Sequence, residues 1–166
     1  MLAAALELAG QPERAIERYR KALEIEPERT SDYFNLGRLY ERIGKPTESR
    51  ASYLQGIRSS RLPADEAKAE EDMLAAGGTK ALLKMRAESA IKRLKESAQA
   101  GYVPPTAFAV QYAALEQRDD AFKYLDQAFT QHVPMLINIV TGRTLGPIRD
   151  DPRLKLLLRR MNYPAR

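Results

Sequence analysis

Glycine and tyrosine recur in this chain at a fixed interval. Gly10 and Gly44 are 34 residues apart, and so are Tyr19 and Tyr53. Around them the pattern holds in type as well as in spacing. Leu6 precedes Gly10, and Ala15, Tyr19, Ala22 and Pro27 follow it. Leu36-Gly37 and Tyr40 precede Gly44, and Ser49, Tyr53 and Gly56 follow. Self-similarity at 34 residues calls for a repeated supersecondary unit that cannot bury its apolar face alone and so must stack on its neighbours.

The local chemistry makes that unit a pair of helices. Ala, Leu, Glu, Arg and Lys dominate, and β-branched runs are scarce, which favours helix nearly throughout. The spacing predicts helices at 2–9, 12–25, 31–43, 46–60, 64–76, 79–100, 105–116, 118–131, 134–141 and 152–161. Gly10 can close one helix and Pro12 open the next, and Gly44 and Pro46 repeat this punctuation. Thr30 or Ser31 can cap the third helix. Gly77-Gly78-Thr79 reads as a break followed by a cap, and Asp151-Pro152 as a cap with proline in the first turn. Small residues such as Ala15 and Gly37 let backbones approach, while Tyr19 and Tyr40 fill the adjoining gaps.

These residues resemble the tetratricopeptide repeat. Its recurring elements are a Leu-Gly pair, an aromatic three positions later, a turn glycine four further on, then Ala, aromatic, Ala and Pro in the second helix. The second unit supplies Leu36, Gly37, Tyr40, Gly44 and Tyr53, with Ser49 and Gly56 in place of alanines and Pro63 two positions late. The first unit supplies Gly10, Ala15, Tyr19, Ala22 and Pro27, and the start of its first helix is expected to lie before Met1. A third, divergent unit has Ala109, Tyr112, Ala121, Tyr124, Leu125 and Ala128, with Glu116 at the turn position. The resemblance implies an all-α fold, a superhelix of stacked antiparallel helix pairs over residues 1–166. Its parts are a partial repeat at 1–29, a repeat at 30–63, divergent helices at 64–100, a divergent repeat at 102–135 and a C-terminal cap at 136–166. Residues 77–163 also resemble the module that ends many bacterial tetratricopeptide proteins joined to winged-helix regulators, serine/threonine kinases or adenylate cyclases. Gly101-Tyr102-Val103-Pro104-Pro105 and Pro147-Ile148-Arg149-Asp150-Asp151-Pro152 carry much of that likeness.

The same resemblance implies a protein-binding module whose first helices line a groove. The positions facing it are Ser31, Phe34, Arg38, Glu41 and Arg42 in the second unit. In the third they are Thr106 and Val110, with Val103 and Ala113 beside them. Some family members clamp a peptide carboxylate with Lys or Arg where Phe34 stands and Asn where Arg38 stands, so this chain departs from that clamp. The expected partner is a protein or peptide. The alternative is self-association, as a homodimer or as a regulatory part of a larger signalling or transcription protein.

Little in the sequence points to chemistry. There is no Cys, hence no disulfide or cysteine nucleophile, and the single His132 cannot form a histidine cluster. Gly77-Gly78-Thr79-Lys80 lacks the earlier glycine of a phosphate loop. Asp119-Asp120 and Asp150-Asp151 are adjacent pairs, which do not share a helix face, and read as helix-start carboxylates. Neither a catalytic residue nor a metal or cofactor is expected. No apolar run is long enough to span a membrane, so a cytoplasmic protein is expected. The net charge of +5 sits in residues 143–166, where seven basic residues face two acidic ones. Arg153, Arg159 and Arg160 are expected to point outward from a capping helix whose leucines need burial. Three cations without stacking aromatics do not read as a nucleic-acid surface.

Overall fold

The computed structural model describes residues 2–142 and 144–163, so Arg143 and Arg166 of the basic tail lie outside the described residues. Among the described residues all regular structure is helical. The chain forms two compact units, residues 1–82 and 83–166.

In the first unit, α1 (Leu2–Leu8), α2 (Pro12–Ile25), α3 (Thr30–Arg42) and α4 (Pro46–Arg58) form two hairpins. They are followed by α5 (Ala64–Ala100), whose helical course is interrupted at Gly78, with φ 72° and ψ −170°. Both hairpin turns are built alike. Gly10 and Gly44 take φ of 71° and 74°. Gly10 N–H donates to Glu7 O and Gln11 N–H to Leu6 O; Gly44 and Lys45 do the same to Glu41 and Tyr40. This doubled closure satisfies the last carbonyls of a helix and requires a left-handed residue, which glycine adopts without a Cβ clash. A proline at the first helical position then starts α2 and α4.

Ring-against-glycine packing closes the second hairpin. A Cβ on Gly37 would stand 2.9 Å from two Tyr53 ring carbons, and one on Gly56 would stand 2.9 Å from the Phe34 ring. Tyr53 is thereby only 1% exposed. Ala15, Tyr19, Leu36, Leu39 and Tyr40 make a second buried group that joins α2 to α3. Thr30 and Ser31 do not cap α3. Arg29 occupies that position without a side-chain bond. The Thr30 hydroxyl instead donates to Ser59 O at 2.9 Å, stitching the start of α3 to the end of α4.

The second unit takes the remainder of α5, then α6 (Pro105–Ala114), α7 (Arg118–Thr130), α8 (Leu136–Thr141), a 3-10 turn at Gly146–Ile148 that the spacing did not predict, and α9 (Pro152–Arg160). The α6–α7 turn repeats the glycine turns without glycine. Glu116 has φ 60°, its N–H donates to Ala113 O, and Gln117 N–H donates to Tyr112 O. Measured from that turn, Ala109, Ala121 and Leu125 fall where Gly37, Ser49 and Tyr53 fall in the first unit, and all six are buried. His132 and Asn162 close α7 and α9 in the same left-handed way, with φ of 52° and 53°.

Helix α9 starts on Asp151, whose carboxylate accepts from Arg153 N–H. Leu154 and Leu157 enter the core, but Leu156 is 55% exposed, because a nine-residue helix has only one inward stripe. The outward set differs from expectation as well. Arg153 reaches Asp119 of α7 at 2.7 Å and lies 4.4 Å over the Phe122 ring. Arg160 reaches Asp126 at 2.6 Å and lies 4.6 Å over Phe129. Carboxylate and ring together draw both guanidinium groups back onto α7. Arg153 is thereby half-buried, whereas Lys155, Arg159 and Arg160 are the exposed cations of α9.

Candidate functional site

Five of the seven candidate binding residues come from α3, and the structure sends them in different directions. Ser31 is exposed at the start of the helix. Phe34 is half-buried, its ring 5.6 Å from that of Tyr53, so it serves its own hairpin. Arg38 is exposed, and its guanidinium donates to Asn35 Oδ1 at 2.9 Å, one turn back. Glu41 accepts from the Thr79 hydroxyl at 2.7 Å, just past the break in α5. Arg42 donates to Glu7 of α1 at 3.0 Å. The face therefore has charged side chains tied to an earlier helix, α1, and to a later one, α5.

Glu7 is a residue whose importance the sequence did not reveal. It is a buried carboxylate that also accepts from the Tyr19 hydroxyl at 2.8 Å. Burial, reinforced by that carboxylate, pushes the Tyr19 hydroxyl well above the usual phenol range. The one available signal was the acid interrupting the apolar run Leu2–Leu8.

Thr106 and Val110 lie in the second unit. Thr106 is buried, and Val110 is half-buried against the core. Both line a cleft of about 560 Å³ between the start of α6 and the α7–α8 junction. Its rim holds two side chains that the sequence reading left out, Tyr102 at 72% and Met135 at 58% exposure. The Tyr102 hydroxyl donates to Gln131 Oε1 at 3.1 Å across the mouth.

The acidic pairs do structural work. Asp119 and Asp120 occupy the first turn of α7. Asp151 accepts from Arg153 at 2.9 Å and Arg118 at 3.4 Å, and the Arg153 bonds hold it well below the usual carboxylate range. Gly78 breaks a helix, and Thr79 is engaged by Glu41, so this segment does not form a phosphate cradle. No three His, Cys, Asp or Glu side chains among the described residues group as metal ligands. None of their helices is long and apolar enough to cross a membrane.

Comparison with known proteins bears on the first unit. Residues 1–29 and 33–61 match the tetratricopeptide repeat family. No curated protein and no solved structure matches the chain.

Proposed function

We propose, from the match of residues 1–29 and 33–61 to the tetratricopeptide repeat, a unit that generally mediates protein–protein interaction, that this protein is a non-catalytic module binding a peptide or protein partner. In the first unit the binding face is Ser31, Arg38, Glu41 and Arg42; the second unit has its own, with Thr106 and Val110. Phe34 acts from beneath, by setting α3 against α4.

One observation carries this reading. Three charged side chains of α3 are held in place before any ligand arrives: Arg38 by Asn35, Glu41 by Thr79 and Arg42 by Glu7. Side chains already ordered lose less entropy on binding, so more of each contact appears as affinity. Arg38 offers a planar fork for a carboxylate, and its tie to Asn35 engages one nitrogen and leaves others to donate.

The full chain can be applied to an array of random octapeptides with blocked ends. A subset of peptides should bind the wild type and lose about tenfold in affinity to Arg38→Glu, whose helical circular dichroism stays intact. If no peptide distinguishes the two proteins, this face is not a recognition surface.

The competing reading, self-association, is favoured by α1. Leu2 is 58% exposed, and Ala4, Ala5 and Ala9 are exposed with it. Sedimentation across a hundredfold concentration range separates the two: a constant monomer mass removes the second reading.

A further inference from the structure

The cleft of the second unit differs in chemistry from the α3 face. Twelve described residues line it, and none is Asp, Glu, Lys or Arg. In a chain that is 30% charged, a set of that size would carry three or four charges. Position for position from the turn, Arg38 in the first unit corresponds to Val110 in the second. A cation at the first is thus a valine at the other.

We propose that this cleft takes a short uncharged, apolar peptide segment, whereas the α3 face of the first unit takes an acidic one. The inference rests on the interaction-module reading and specifies its ligand. Its physical basis is the match of charge. A charged side chain entering the cleft would lose hydration and find no opposite charge to replace it. An apolar side chain would meet Val110, Val133 and Ile139 in the lining and cover Met135 and Tyr102 at the rim. The peptide's own backbone is provided for. Gln131 spends its oxygen on Tyr102, which leaves its amide hydrogens for a peptide carbonyl, and Gln111 stands in the same lining. A volume of about 560 Å³ lies in the range of binding clefts.

The probe is again the array of blocked octapeptides, read with the full-length wild type, Met135→Glu and Arg38→Glu. Met135 is mostly exposed, so its substitution leaves the core alone; Tyr102→Ala serves as a second variant at the rim. Peptides that lose about tenfold in affinity to Met135→Glu should share a run of uncharged apolar residues and should lose to Tyr102→Ala as well. Those that depend on Arg38 should carry carboxylates. Met135-dependent peptides centred on a charged residue would overturn the inference. Binding that depends on Arg38 but never on Met135 would also overturn it, while leaving the interaction module standing. Loss of neither set by any variant would remove both. A concentration-dependent dimer abolished by Met135→Glu would put a second copy of the chain in the cleft and likewise refute the proposal.

Discussion

Ser49 occupies a slot that holds alanine in the other two hairpins, and the structure says what its hydroxyl costs. Counted from the turn, Ala15 and Ala121 are its counterparts, each fully buried. Ser49 is 1% exposed, and its Oγ finds no hydrogen-bond partner among the described residues. A hydroxyl withdrawn from water with nothing in exchange costs about 1–3 kcal/mol. Alanine also exceeds serine in helix propensity by about 0.5 kcal/mol. Against these stands the loss of one atom's packing contacts, at about 0.1–0.2 kcal/mol for each atom pair. Ser49→Ala should therefore stabilise the first unit by about 1–2 kcal/mol. With a urea dependence of about 1–3 kcal/mol per molar, the unfolding midpoint should rise by roughly 0.3–2 M. Circular dichroism at 222 nm gives the midpoint, and calorimetry shows whether the two units melt together. The reverse substitution, Ala15→Ser, installs the same hydroxyl one repeat earlier and should lower stability by a similar amount. If Ser49→Ala is neutral or destabilising and Ala15→Ser is silent, this slot does not penalise a hydroxyl and the argument fails.

Other substitutions probe the packing and the charges. Gly37→Ala puts a methyl group 2.9 Å from a Tyr53 ring that has no room to move. Overpacking of about 1–3 kcal/mol should outweigh the gain of about 1 kcal/mol in helix propensity, and Tyr53→Leu should partly rescue the thermal midpoint. Asp151 is held below its ordinary range, so its contribution is complete above about pH 4, the unfolded value, and fades as the pH falls further. Stability curves between pH 2 and 6 should lose that acid-limb slope in Asp151→Asn; identical slopes would show that the network does not report on folding. Tyr19 is shifted the other way. Its contribution is complete below about pH 10 and is lost as the pH climbs beyond that. Tyr19→Phe should flatten the alkaline limb, and an unchanged limb would discount the Glu7 contact.

The hairpins were legible because their signals are local. A glycine that must be left-handed, a proline that opens a helix and a small residue facing a ring can each be read within a few positions. The α6–α7 hairpin was legible only by register, because Glu116 takes the left-handed turn that glycine takes at 10 and 44. What stayed hidden depends on residues distant in sequence. Glu7 is buried by partners 12 and 35 positions away, Tyr19 and Arg42. Arg153 looked outward until Asp119, 34 positions earlier, claimed it, and the exposed Arg160 pairs with Asp126 at the same separation. The cleft exists because the start of α6 meets the α7–α8 junction, and Tyr102 finds Gln131 only there. Thr30 falls one position past the cap, which Arg29 occupies, and its hydroxyl donates to the distant carbonyl of Ser59.

The two arginine rungs between α7 and α9 have equal intervals on both sides: seven residues from Arg153 to Arg160, and seven from Asp119 to Asp126 and from Phe122 to Phe129. Equal intervals work like a key with two identical teeth. If α9 slides by one turn, neither arginine meets its acid or its ring, and only a slide of seven residues, about two turns, brings one rung back into line. A small slip of the helix therefore loses both rungs together rather than one at a time.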